Sequence, residues 1–178
     1  MCQFASGFWR PRDFAVRIAD LNSHSDTARL LDLTDGDKPD DWREFHYLPA
    51  GELRCRGLDI DTHTAAEGEA ALRARWPTIG KFLTWAFEQD SYVPGDIWLY
   101  DLTSAADLPA QWPQRTGGIH LDSLRSAEGL PAQWPQRTGK ILLTSLKDPD
   151  GLPPWPADWP LGKLYAPHID KSKLCRTA

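Results

Sequence analysis

The sequence predicts an α+β region over residues 1–95, followed over 96–170 by a short parallel β-solenoid with a 22-residue period and, from 171 to 178, a loose polar tail. Two observations carry the second half. The ten residues Leu-Pro-Ala-Gln-Trp-Pro-Gln-Arg-Thr-Gly starting at Leu108 recur letter for letter at Leu130, and another Leu-Pro starts at Leu152. Self-similarity at a fixed period of this size marks stacked structural units, each burying its apolar side against the next. The first half rests on a third observation: short alternating apolar runs bounded by turn residues, interleaved with segments of helical spacing.

Taken in order, Cys2-Gln-Phe-Ala-Ser-Gly-Phe-Trp predicts an opening strand and Phe14-Ala-Val-Arg-Ile a second. Ser23 or Ser25 is placed to cap a short helix through Thr27-Ala-Arg-Leu-Leu-Asp-Leu, because a serine hydroxyl accepts from the unsatisfied amides of a first helical turn. Asp35 to Asp41 is a loop. Arg43 to Leu48 and Glu52 to Ile60, joined by Pro-Ala-Gly, form a hairpin in which Phe45, Tyr47, Leu53 and Cys55 share an apolar face. Thr64 caps a helix over 67–76 that Pro77 ends or kinks, and a second helical piece runs from Ile79 to Glu88.

In the second half the 22-residue alignment puts Ile97, Ile119 and Ile141 in one column and Leu99, Leu121 and Leu143 in another. These columns predict short strands with a buried face. Leu102, Leu124 and Leu146 follow on turns, and Trp112 and Trp134 on the return side, where the prolines after them prevent helix. The pattern resembles the leucine-rich repeat, whose unit of 20–29 residues carries one short strand. The Leu-Pro-bearing bacterial variety is the nearest in form. The resemblance implies a leucine-rich-repeat-like parallel β-solenoid, with the departure that Leu102, Leu124 and Leu146 stand where that pattern uses Asn or Cys. After Trp155-Pro156 the unit is rewritten, as a terminal cap requires, with Leu164 in the isoleucine column.

Composition narrows the function. The formal charge is −5, with 41% hydrophobic and 25% charged residues. Residues 1–95 carry 11 Lys/Arg against 16 Asp/Glu, and 96–178 carry 9 of each. A nucleic-acid partner is not expected, since neutralising phosphates needs a positive surplus. No run approaches the roughly 18 apolar residues of a membrane span, so no membrane partner is expected either. The start lacks a basic region followed by an apolar run, and three cysteines without metal-like spacing suggest reduced thiols in a cytoplasm. No metal or cofactor is expected. The Met-Cys-x-Phe start, the early Asn-Ser-His and the C-terminal array also resemble uncharacterised phage and prophage proteins, a resemblance that implies no settled activity.

Two function classes follow, with a purely structural virion component as a third option that would show up as protein in purified particles. In the favoured one the chain is a protein-interaction module, and the phage resemblance implies a modulator or inhibitor of a host protein. The non-core strand positions Trp98, Tyr100, His120 and Asp122 then supply an aromatic face, with Leu142 and Thr144 aligned beside them, that is either open to a partner or covered by residues 1–95. In the alternative, Cys2 becomes N-terminal after loss of Met1 and acts as nucleophile with its own amine as base. His24 with Asp26 or Asp20 would complete a Cys–His–Asp set for a hydrolase or transferase. N-terminal-cysteine glutamine amidotransferases continue Met-Cys with glycine, where this chain has Gln3.

Overall fold

The computed structural model describes residues 5–21, 23–33, 42–48, 52–56, 62–106 and 108–177, and for His24, Arg56 and Thr177 the backbone alone. The chain divides into two compact units, Met1–Val93 and Pro94–Ala178. Among the described residues no helix is long and apolar enough to cross a membrane.

The first unit is an antiparallel sheet covered by helices on both faces. Strands β1 (Ala5–Arg10), β2 (Ala15–Arg17), β3 (Arg43–Tyr47) and β4 (Leu53–Arg56) pair in the order β2-β1-β3-β4. The register sets Gly7 opposite Phe45 and Phe45 opposite Cys55. Because side chains alternate across a pleated strand, Ala5, Gly7, Trp9, Phe45, Tyr47, Leu53 and Cys55 share one face. On the other face Phe8 packs with Ala28 and Leu33 beside helix α1 (His24–Leu30). β1 is therefore buried on both sides from Ala5 to Trp9, its one buried polar side chain, Ser6, donating to the Leu21 carbonyl at 3.0 Å. Ser23 is the cap of α1, its hydroxyl accepting from the Asp26 amide at 3.1 Å.

Helices α2 (Thr62–Arg75) and α3 (Ile79–Phe87) cover the aromatic face. α2 starts at Thr62, ahead of the expected cap at Thr64, and stops before Pro77. Thr78 then caps α3, accepting from the Lys81 amide. Gly68 lets α2 lie directly on Trp9: a Cβ there would fall 2.2 Å from the indole ring. Phe82 is the hub of α3, with ring centroids of Tyr47 at 5.2 Å, Phe45 at 5.3 Å and Trp76 at 5.4 Å. The Tyr47 hydroxyl donates to the Trp76 carbonyl and so satisfies both buried groups.

The second unit corrects the predicted solenoid. Strands β5 (Ile97–Trp98), β6 (Ile119–His120), β7 (Ile141–Leu142) and β9 (Leu164–Tyr165) form a parallel sheet in the order β5-β6-β7-β9. Ile97, Ile119, Ile141 and Leu164 lie in register. Each strand is two residues long, and among the described residues no leucine-rich-repeat-like closed solenoid of 22-residue period is formed. The reason lies in the return segments. Their Leu-Pro and Trp-Pro pairs lack the amide donors that a second ladder needs. Among the described residues the ladder there is one isolated bridge, Arg115 to Arg137. The spacing also breaks at the last step, because Leu164 follows Ile141 by 23 positions and another strand intervenes. That strand, β8 (Trp155–Pro156), pairs in parallel with β10 (Arg176–Thr177) as a separate two-stranded sheet. The polar tail thus contains a strand.

The core of this unit is aliphatic. Ile119, Leu121, Leu124, Ile141, Leu143 and Leu146 are all fully buried. Threonine hydroxyls stitch successive segments together: Thr116 donates to the Gly95 carbonyl at 2.8 Å and Thr138 to the Gly117 carbonyl at 2.9 Å. At the turn before Leu130, Gly129 adopts φ +89°, and a Cβ there would fall 2.9 Å from the backbone of Ala105. Both the backbone angle and the close stacking demand glycine.

Candidate functional site

Strand alternation builds the site. With Ile97 and Leu99 turned into the core, Trp98 and Tyr100 stand on the opposite side of the sheet, and His120 and Asp122 take the same positions one strand on. The structure brings three of these side chains into one ring cluster. Centroids are 6.0 Å apart for Trp98 and Tyr100, 5.9 Å for Trp98 and His120, and 5.2 Å for Tyr100 and His120. The imidazole meets both other rings edge-on at 73°, the arrangement that the ring quadrupoles favour. All three are half-buried, and Tyr165 of β9 extends the same face at 54% exposure.

Two carboxylates frame the rings. Asp96 accepts from Trp98 Nε1 at 3.3 Å and from the Gly118 amide, and its Oδ2 lies 3.7 Å from His120 Nε2. Asp122 accepts through Oδ1 from the Thr144 hydroxyl at 3.1 Å. Its Oδ2 and His120 Nδ1 are buried without a hydrogen-bond partner. Burial, and after it the charges of Asp122 and Asp96, raise the Tyr100 phenol above its ordinary pKa. The face is thus aromatic, acidic and well supplied with acceptors.

Sequence reasoning found Trp98, Tyr100, His120 and Asp122 but missed Asp96 and Tyr165. The 22-residue alignment puts Asp96 in a column with Gly118, whose lack of a side chain leaves its amide open to the carboxylate. Tyr165 follows Leu164 as Trp98 follows Ile97, so the column alignment that assigned Leu164 could have found it.

The alternative set fares differently. Cys2 lies outside the described residues, and so does the side chain of His24. Asp26 pairs with Arg29 at 3.0 Å on the exposed side of α1. Hydrogen bonds from Ser23 and Arg29 hold its carboxyl below the usual range. Asp20 engages Thr27 through its backbone, donating to and accepting from the hydroxyl. Among the described residues no three His, Cys, Asp or Glu side chains are grouped to hold a metal.

The described cysteines are chemically opposite. Cys175 is exposed and Cys55 is buried. Burial, with the nearby Glu69 carboxylate, pushes the Cys55 thiol up to about 12 from an ordinary 9.0. Since the thiolate is the nucleophile, iodoacetamide at pH 8 should label Cys175 within minutes and leave Cys55 unmodified until the protein is unfolded. Peptide mass mapping checks this, and early labelling of Cys55 would contradict its placement. The shift also has a stability consequence. The unfolded thiol ionises above pH 9 while the folded one stays neutral, so this contribution is complete below that pH and is lost as pH rises toward 12.

The duplicated segments line a groove of about 390 Å³ that includes Trp112, Gln114, Trp134 and Gln136. Trp134 Nε1 donates to the Pro153 carbonyl at 3.2 Å, whereas Trp112 Nε1 is buried without a partner. No charged groups line this groove, so it lacks the mixture of aromatic rings and paired carboxylates seen on the sheet face. No family model, curated protein or solved structure matches the chain.

Proposed function

We propose that the chain is a protein-interaction module that binds its partner through Trp98, Tyr100, His120 and Asp122. The observation behind this reading is the packed Trp98–Tyr100–His120 ring cluster, half-buried on a sheet whose reverse side is a closed aliphatic core. Rigid aromatic side chains that keep part of their area available are the anchors of interface hot spots. They contribute large contact area at low entropic cost because their neighbours already hold them. The resemblance to phage and prophage proteins extends the proposal to a modulator of a host protein acting in the cytoplasm.

The test compares affinity capture from host lysate by the wild-type chain, by Trp98→Ala and Tyr100→Ala, and by Arg125→Ala, an exposed site outside the ring cluster. A protein retained by wild type and Arg125→Ala, and lost with either aromatic variant, is the expected result. Loss of a hot-spot aromatic costs about 2 kcal/mol or more, roughly thirty-fold in Kd. Circular dichroism confirms that the variants fold. Equal retention by Trp98→Ala would remove this face from the binding function.

A further inference from the structure

We infer that this face recognises a cationic side chain, an arginine, presented by the partner. The inference rests on the interaction reading above and adds the chemistry of what is bound. Three features of the face converge on it.

The first is charge. Asp96 and Asp122 bracket the rings, and among the described residues no lysine or arginine pairs with Asp122. A half-buried carboxylate whose second oxygen has no donor is costly to leave unpaired. A cation arriving from a partner offsets that cost.

The second is donor–acceptor balance. Asp122 Oδ2 is an acceptor. His120 Nε2 lies 3.7 Å from the Asp96 carboxylate, which sets the ring between the two acids. Asp122 Oδ2 therefore requires a donor, which a cationic ligand supplies. Asp122 Oδ2 is shielded by neighbouring side chains, so pairing with a partner's donor requires the carboxylate to turn outward.

The third is the ring cluster itself. Tryptophan and tyrosine faces attract cations, most strongly where water is excluded. Arginine fits better than lysine because its planar guanidinium stacks on a ring while its edge donates to a carboxylate. Trp98 and Tyr100, tilted 37° to one another, offer the ring and Asp122 the acceptor.

A random heptapeptide library, panned on the full chain and counter-selected on Trp98→Ala, tests this. Expected are Trp98-dependent peptides sharing an arginine. Replacing that arginine with citrulline, its neutral isostere, should weaken binding about ten-fold or more by fluorescence titration. Asp122→Asn should abolish the distinction between arginine and citrulline while leaving the circular dichroism unchanged. Trp98-dependent peptides that lack a basic residue, or that tolerate citrulline, would overturn cation recognition and leave the interaction reading standing. A library yielding no Trp98-dependent peptide would overturn both.

Discussion

Phe82→Ala is expected to remove about 4 kcal/mol from the stability of the first unit, within the range for deleting a fully buried phenylalanine. The ring is 0% exposed and contacts Phe45 and Tyr47 of β3, Trp76 after α2, and Trp85 on its own helix. Its removal leaves a cavity whose walls belong to three elements, so no single side chain can collapse into it. Four aromatic contacts are lost together with the transferred area. The Tyr47 hydroxyl, which donates to the Trp76 carbonyl, loses the packing that aligns it. Amide hydrogen exchange in β3 and β4 reads the effect, since these amides open only when the unit unfolds. Phe82→Leu keeps much of the volume and should cost about half as much. Equal protection in wild type and Phe82→Ala would show that the helix–sheet interface does not limit stability.

The legibility of this unit in the sequence follows from the same physics. Alternation of Phe45, Tyr47, Leu53 and Cys55 revealed the hairpin because one face of each strand is buried under helices. The spacing of Ile79, Phe82, Leu83 and Phe87 revealed α3 for the matching reason, although the fully buried side chains are Ile79, Phe82, Leu83 and Ala86 and Phe87 is half-buried. What could not be read was closure. The exact repeat predicts equivalent environments for its copies, and the registered isoleucines are indeed equivalent in burial. Yet a 22-residue period specifies no second sheet, and the prolines of Leu-Pro and Trp-Pro withhold the amides one would need. The start of α2 at Thr62 and the pairing of β10 with β8 carry no periodic signal at all.

The candidate site was legible where it followed from strand parity and obscure where it depended on local geometry. Trp98 and Tyr100, or His120 and Asp122, share a face because their numbers differ by two. Asp96 enters through a backbone amide of the neighbouring strand, a contact that only the parallel register creates. The cluster is therefore a product of pairing: Trp98 and Tyr100 come from the β5 segment and His120 from β6, and the acid that fixes Trp98 also reaches across to Gly118 and His120.

Trp155→Ala is expected to cost about 4 kcal/mol in the second unit and to release the C-terminal strand. Trp155 is 1% exposed, with Trp159 at 5.4 Å and 84° and Trp134 at 6.1 Å and 68°. Its indole donates to the Trp159 carbonyl at 3.3 Å, and its backbone amide donates to the Cys175 carbonyl at 2.7 Å. One residue thereby joins the duplicated segment, the divergent segment and β10. Neighbouring lysines extend the attachment: Lys163 lies over the Trp159 ring and donates to the Thr138 carbonyl, while Lys171 donates to the Leu164 carbonyl at 2.6 Å. Loss of the tryptophan should accelerate tryptic cleavage at Lys171, Lys173 and Arg176 at least ten-fold, since cleavage requires the backbone to open. Trp155→Phe keeps the ring packing, forfeits the indole bond of about 1 kcal/mol and should cleave only slightly faster than wild type. Because Leu164 and Tyr165 form the outer strand of the binding sheet, loosening this end should disorder Tyr165 before it disturbs Trp98. The two faults are separable by whether binding or protease resistance fails first.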